Sequence, residues 1–251
     1  MRTPPGRVPA PLPDPLPAPL LERALALAGR GRRAVLGIAG PPGAGKSTLA
    51  ERLVTALGGR AVLVPMDGFH LAGRVLARLG RADRKGAPDT FDADGYAALL
   101  TRLRAPAPGA TVYAPAFDRS LEEPIAGAIA VDSSVPLVVT EGNYLLHDEG
   151  PWARIGPLLD EVWFLDTAPG VRVDRLVDRH VRYGKDRARA ERWVRESDEA
   201  NARLIAPGRE RADLVVTLPD AGRAPRAPYA PRVPGAPKAP GMEETSPPPP
   251  G

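Results

Sequence analysis

The chain has 251 residues, with 34 Lys plus Arg against 30 Asp plus Glu, a net charge of +4, three histidines and no cysteine. Without cysteine, disulfide frameworks and thiolate metal sites are excluded, and no run of 18 apolar residues offers a membrane span. Charges of both signs are interspersed rather than gathered into the basic stripe with exposed aromatics that marks nucleic-acid binding.

Eight of the 32 prolines fall in residues 1–19 and eleven in residues 219–251. Both ends therefore read as disordered Pro-rich tails, and residues 20–218 as one folded domain, long enough to bury an α/β core. The N-terminus has no apolar stretch of signal-peptide type, which gives a cytoplasmic expectation. Residues 20–28 form a predicted amphipathic helix with Leu21, Leu25 and Ala28 on one side. Residues 35–39 are an apolar strand, followed by Gly40-Pro-Pro-Gly-Ala-Gly-Lys-Ser-Thr48, which fits the phosphate loop G-x-x-x-x-G-K-[ST]. The rival is a Gly-rich turn into an ordinary helix. The flanks favour the phosphate loop, because Leu49, Leu53 and Leu57 recur at helical spacing behind it. Glycines there let successive N–H groups point inward at a helix start, a nest for anionic oxygens. Gly40, Pro41, Pro42, Gly43, Ala44, Gly45, Lys46, Ser47 and Thr48 are thus the predicted nucleotide-binding residues. Lys46 would reach the β- and γ-phosphates and the Ser47 hydroxyl would serve Mg²⁺.

The helix from Lys46 stops near Gly58-Gly59. Residues 61–64 make a second strand that delivers Pro65-Met-Asp-Gly-Phe-His70. Residues 80–92 are a charged loop, after which Asp92 or Asp94 caps a helix running to about Arg104. Residues 111–131 read as short irregular strands with Pro115-Ala-Phe-Asp-Arg119 between them. Strands at 137–140, 161–165 and 213–218, and helices from Pro169 to about Tyr183 and over 187–205, complete the pattern. Strands alternating with helices imply an α/β fold with a parallel sheet.

Three strands are followed by an acid: Asp67, Glu141 and Asp166. Ligands bind beyond the carboxyl ends of such strands, so these acids are expected beside the phosphate loop. Glu141 would hold Mg²⁺ directly or through water. Asp67 would take a proton from an acceptor hydroxyl; the alternative is an Asp-Gly turn bonded to its own backbone. His70 either contacts the acceptor or fills a polar gap. Arg172, Arg175, Arg179 and Arg182 share one helical face. They are either a solvated stripe or a lid, in which Arg179 and Arg182 stabilise the transferring group and Gly184-Lys-Asp186 supplies a hinge. Only four lysines accompany 30 arginines, and three of them (Lys46, Lys85, Lys185) fall in these stretches. An ammonium and a guanidinium are not interchangeable in a phosphate pocket.

These stretches resemble the phosphoribulokinase/uridine kinase/bacterial pantothenate kinase group of P-loop kinases, and within it the "nucleoside/nucleotide kinase family" proteins. The matching motifs are Gly-Ile-Ala-Gly-Pro-Pro-Gly-Ala-Gly-Lys-Ser-Thr, Met-Asp-Gly-Phe-His, Arg-Lys-Gly-Ala-Pro-Asp-Thr-Phe-Asp, Pro-Ala-Phe-Asp-Arg, Thr-Glu-Gly-Asn-Tyr and Arg175-Leu-Val-Asp-Arg-His-Val-Arg182, spread from Gly37 to Ile205. The resemblance implies a three-layer P-loop NTPase fold, a central parallel sheet in the order 2-3-1-4-5 flanked by helices, an Arg-bearing helical lid, and ATP as donor. It places the candidate base at Asp67 and the acceptor pocket around His70, Arg84, Lys85, Asp118 and Arg119. The expectation is an ATP- and Mg²⁺-dependent kinase acting on a hydroxyl of a nucleoside, sugar or pantothenate-like metabolite. Lys46, Asp67, Arg179 and Arg182 would be catalytic, with Ser47 and Glu141 serving the metal. The partner is the small acceptor, with no nucleic acid or membrane, and a homodimer is compatible. The alternatives are a regulatory ATPase or GTPase switch and a non-catalytic nucleotide-binding module. Guanine readers use Asn-Lys-x-Asp, and neither Asn143 nor Asn201, the only asparagines, begins such a stretch.

Overall fold

The computed structural model describes residues 16–218. The expected C-terminal tail, and residues 1–15 of the N-terminal one, lie outside the described residues. In chain order the elements are α1 (Ala18–Ala28), β1 (Ala34–Ala39), α2 (Lys46–Leu57), β2 (Ala61–Leu63), α3 (Gly73–Arg78), α4 (Ala93–Arg104), β3 (Thr111–Asp118), β4 (Glu123–Asp132), β5 (Leu137–Gly142), β6 (Glu161–Leu165), α5 (Pro169–Arg182), α6 (Arg187–Trp193), α7 (Glu199–Ile205) and β7 (Leu214–Val216). No helix among the described residues is long and apolar enough to cross a membrane.

The central sheet has the order β2-β5-β1-β6-β7, and every pairing in it is parallel. β3 and β4 stand apart as an antiparallel ribbon, so the five sheet strands, numbered among themselves, run 2-3-1-4-5. The central strands β1, β5 and β6 are buried along their whole length, as strands with helices on both faces must be. On one face α4 brings Tyr96, Leu100 and Leu103 into a core with Val35, Val138 and Phe164. On the other, α1 and α2 bring Leu27, Leu49 and Leu53 against Leu36, Ile38 and Trp163. A third cluster, Leu176, Val177, Ala190 and Val194, holds α5 and α6 to each other.

Four expectations change in the structure. The first helix begins at Ala18 rather than Leu20, with Pro19 in its first turn, where a missing N–H costs no bond. Its deepest residues are Leu20, Ala24 and Leu27; Leu21, Leu25 and Ala28 sit at the border of that stripe. The segment from Thr111 is a long regular ribbon, and Pro115–Arg119 lies in and just beyond β3 rather than between strands. The ribbon's register shifts between Ala114 and Ala116, so Pro115, which has no N–H to donate, falls at the irregularity. Finally, the second long helix is split by a π-turn over Val194–Asp198.

One polar chain runs through the core. Thr140 Oγ1 donates to Val64 O at 2.6 Å and lies 2.6 Å from Tyr96 Oη. The threonine has one proton, so the tyrosine donates the second bond. The chain ties α4, β5 and the exit of β2 at the sheet edge where Glu141 and Asp67 emerge. Thr140→Val keeps the shape but leaves Val64 O and the Tyr96 hydroxyl unpaired in the core. The expected cost is about 3 kcal/mol, read as a urea midpoint shift at constant m-value. Tyr96→Phe, which orphans neither remaining partner, is expected to cost less.

Candidate active site

The phosphate loop is built as its sequence requires. Gly40, Gly43 and Gly45 have φ of 147°, 76° and 100°, values that favour glycine. A Cβ on Gly43 would lie 2.7 Å from Arg172 O, so α5 sits directly on the loop. Lys46, at the first position of α2, is buried, and its Nζ donates to Pro41 O at 3.1 Å and to Asn143 Oδ1 at 2.7 Å. Burial lowers its pKa to about 8, against the pull of Glu141 and Asp67. Ser47 Oγ donates to Glu141 Oε1 at 3.0 Å. Glu141 is still within β5, paired in register with Ile38 of β1. Burial first, and then the charge of Asp67, push its carboxyl up to about 7.

Asp67 lies in a 3-10 turn, Met66–Phe69, after β2. The turn is wedged tightly. A Cβ on Gly142 would come within 2.6 Å of Met66, and one on Gly68 within 2.4 Å of Pro115 O. The Asp67 carboxylate accepts from Arg119 Nη2 at 3.1 Å in a half-exposed ion pair. The Asp67 carbonyl accepts from the His70 amide at 3.2 Å and from His70 Nδ1 at 2.8 Å. The ring therefore carries its proton on Nδ1, and burial lowers its pKa, favouring the neutral form. It packs against Phe91 and Phe117, with centroids 4.0 and 4.8 Å away.

These groups line one cleft of about 430 Å³. Pro42, Gly43, Lys46, Ser47, Glu141 and Asn143 form its phosphate end. Asp67 and Arg179 also line it, as do His70, Lys85, Phe117 and Arg119 toward the β3–β4 ribbon. Among the expected residues, Arg84, Asp118 and Arg182 do not line it, and neither do Asp166, Thr48 and, within the loop itself, Gly40, Pro41, Ala44 and Gly45. Arg84 turns outward and makes two bonds to Asp89, at 2.6 and 2.8 Å, because neighbouring residues of a short turn diverge and Lys85 takes the inward direction. Asp118 Oδ1 accepts from the amides of Ser120 and Leu121 and from the Ser120 hydroxyl. It organises the β3–β4 turn, and those bonds, the hydroxyl's first, hold its pKa low. Arg182 is exposed at the end of α5. Asp166 pairs with Arg209 at 3.0 Å on the surface, and Thr48 is exposed on α2.

The arginine stripe divides its labour. Arg172 Nη1 donates to Pro42 O at 3.1 Å, and lies 3.0 Å from Glu199 Oε1 without hydrogen-bond alignment. Arg175 Nη1 donates to Ala44 O at 3.3 Å. These two pin α5 to the loop backbone, and Arg179 is the member of the stripe that lines the cleft.

Several lining residues carry no local motif. Asn143 has a signal, being two residues past Glu141 and so on the same side of an extended chain. Asp198 and Asn201 have none, since they reach the cleft only through the π-turn, a device common at functional sites.

A family model described as "Phosphoribulokinase / Uridine kinase family" matches residues 35–221. "Uncharacterized protein YggC" of Escherichia coli K12 is 32% identical over 197 residues, covering 76% of this chain and 81% of that protein. "Putative uridine kinase C227.14" of Schizosaccharomyces pombe is 34% identical over 171 residues, covering 64% and 72%. Among solved structures, a Silicibacter sp. TM1040 protein described as a "putative fructose transport system kinase" is 36% identical, with a TM-score of 0.72 over 79% of this chain and 97% of that one. YFH7 of Saccharomyces cerevisiae, at 20% identity and a TM-score of 0.68 over 80% and 98%, shares the fold.

The charge on Glu141 makes a pH prediction. Its folded pKa of about 7 exceeds the ordinary 4.5. The unfolded chain therefore loses this proton first as pH rises, and stability falls between those two values. Below about pH 4.5 both states are protonated and the penalty vanishes. In nucleotide-free protein, Glu141→Gln is expected to raise Tm by on the order of a few degrees at pH 8 and by nothing near pH 4.5. A calorimetric series across that range checks it, and a pH-independent difference would refute it.

Proposed function

The chain belongs to the phosphoribulokinase/uridine kinase family, and from that premise we propose that it transfers the γ-phosphate of ATP to a hydroxyl group of a small metabolite. One observation carries the reading: Lys46 on its glycine-rich cradle and the carboxylate of Asp67 line the same cleft. A nucleotide holder needs the first; a phosphotransferase to an alcohol needs both.

Lys46 touches only a carbonyl and an amide oxygen, so its charge has no directly bonded counterion and suits the β- and γ-phosphate oxygens. Ser47 Oγ and the Glu141 carboxylate, 3.0 Å apart, are hard oxygen donors at the same end, and the buried acid is destabilised without a cation. They fit Mg²⁺, which when bound neutralises charge on the phosphate oxygens. Asp67 accepts the proton of the acceptor hydroxyl as that oxygen bonds to the γ-phosphorus. The bond from phosphorus to the bridging oxygen breaks, and ADP leaves with the electron pair. Arg179 meets charge developing on the transferring group. Arg119 holds Asp67 in place until the acceptor arrives. Relatives bear names that point to different acceptors, uridine and pantothenate among them, as suits a common phosphate end and a variable acceptor end.

Asp67→Asn is expected to lower turnover by roughly 10²- to 10⁴-fold while MgATP affinity, measured by calorimetry, changes by less than about twofold. Unchanged turnover would remove Asp67 from the mechanism. Wild-type protein that binds MgATP but releases no ADP across nucleosides, sugars, sugar phosphates and pantothenate would favour the non-catalytic reading.

A further inference from the structure

Lys85 and Lys185 line the cleft without a carboxylate in direct contact among the described residues, in a lining that also includes Glu122 and Asp198. Lys85 Nζ donates to the carbonyl of Glu122 and sits 5.0 Å from the centre of the Phe117 ring. Lys185 Nζ lies 3.3 Å from His180 Nδ1 and 5.1 Å from the centre of the Trp193 ring. Neither ammonium meets a carboxylate among the described residues, whereas Arg119, against the same Phe117 ring, is paired with Asp67. Both lysines are on built positions. The backbone beside Lys85 is gripped at Gly86 O, which accepts from Tyr144 Oη at 2.5 Å and from Asn201 Nδ2 at 3.3 Å. Lys185 follows Gly184, whose φ of 94° ends α5 and turns the chain back toward the cleft.

The residue type adds a second observation. In a chain with 30 arginines, the three lysines among the described residues, Lys46, Lys85 and Lys185, all line this cleft. Lys46 faces the nucleotide phosphates. Lys85 is a compact cation beside Phe117, bonded only to a carbonyl, and Lys185, on the turn after α5, touches His180, whose Nε2 lies 2.9 Å from Asp198 Oδ2; an incoming oxyanion can replace either contact of an ammonium without rebuilding a fork of bonds.

We propose that the acceptor already carries an anionic group, a carboxylate or a phosphate, bound between Lys85 and Lys185 while its carbon skeleton lies on Phe117 and His70 and its hydroxyl meets Asp67. This rests on the kinase reading above and narrows it, since unmodified nucleosides and hexoses lack the group these lysines bind.

The test uses matched pairs: glycerate and glycerol, pantothenate and pantothenol, ribose 5-phosphate and ribose, fructose 6-phosphate and fructose, uridine monophosphate and uridine. Binding is followed in the presence of MgADP by tryptophan fluorescence, to which Trp193, against Lys185, contributes from the cleft while Trp152 and Trp163 are buried, and turnover by ADP release from MgATP. In at least one pair the anionic member is expected to bind about tenfold or more tightly than its neutral partner. The carboxylate and phosphate pairs separate the two sources of charge. Lys85→Met and Lys185→Met, each checked for an unchanged melting temperature, are expected to erase that ratio. Arg84→Met, beside Lys85 but paired outward with Asp89, is expected to keep it. An equal or tighter neutral member in every pair, no binding by any anionic member, or a Lys85→Met effect equal on both members would overturn the proposal. Anion-selective binding without ADP release would uphold the anion site and sink the kinase reading. ADP release that prefers the neutral alcohol would do the reverse.

Discussion

The structure depends on one constraint: a lysine and a glutamate are taken out of water at the carboxyl edge of a parallel sheet without being allowed to neutralise each other by direct contact. Lys46 bonds to Pro41 O and Asn143, and Glu141 bonds to Ser47. Each is displaced from its ordinary protonation behaviour by burial, the lysine downward and the acid upward. Such an arrangement opposes folding in the empty protein, and under the proposed function a triphosphate with a divalent cation relieves it. That is preorganisation, in which the cost of orienting the charged groups is met during folding rather than during the reaction.

Holding that arrangement explains much of the packing around it. β1 and β5 lie at the middle of the sheet with side chains buried on both faces, and the Tyr96–Thr140–Val64 chain fixes β5 one residue before Glu141. The turn bearing Asp67 is located by contact rather than by long side chains. Gly142 admits Met66 and Gly68 admits Pro115, and larger residues at either glycine would drive the carboxylate off its position. On the other side, Arg172 and Arg175 bind α5 to the loop's carbonyls. The helix that carries Arg179 is thereby indexed to the phosphate loop itself. Asn201 on α7 reaches the Gly86 carbonyl, so the helices over the cleft and the loop carrying Lys85 are registered to each other.

What the sequence reveals of this depends on how local the signal is. The phosphate loop, its flanking strand and helix, and the acids at 67 and 141 are written in contiguous stretches whose spacing has a direct meaning. The order of the sheet strands is not local, and only the resemblance to a family implies it. The β3–β4 ribbon is obscured in the sequence because Pro115, Pro124 and a run of small residues break the alternation, and much of β4 is exposed on both faces. Arg84 and Lys85 are adjacent cations that composition cannot separate; the turn Ala82–Arg84 sends one out and one in. The arginine stripe is legible as one face, but not as two anchors and a cleft residue, because that division is set by how far each position lies from the loop. The π-turn that presents Asp198 and Asn201 has no sequence signature at all.

Arginine and lysine also divide the work between stability and chemistry. Arg33 donates to the carbonyls of Val135, Leu103 and Asp132, fastening the start of β1 to the far end of the ribbon. Arg104 reaches Leu158 O, and Arg211 reaches Leu146 O with two nitrogens. A planar fork of five donors satisfies several orphaned carbonyls at loop ends in a way that one ammonium does not. Such bonds also spread the guanidinium charge over dipoles and leave little of it to attract a ligand. An ammonium is smaller and more mobile, and exchanges a carbonyl for an incoming oxyanion without rebuilding a network. The cleft holds all three lysines that the described residues contain, one on the glycine-rich loop, one beside Phe117 and one on the turn after α5.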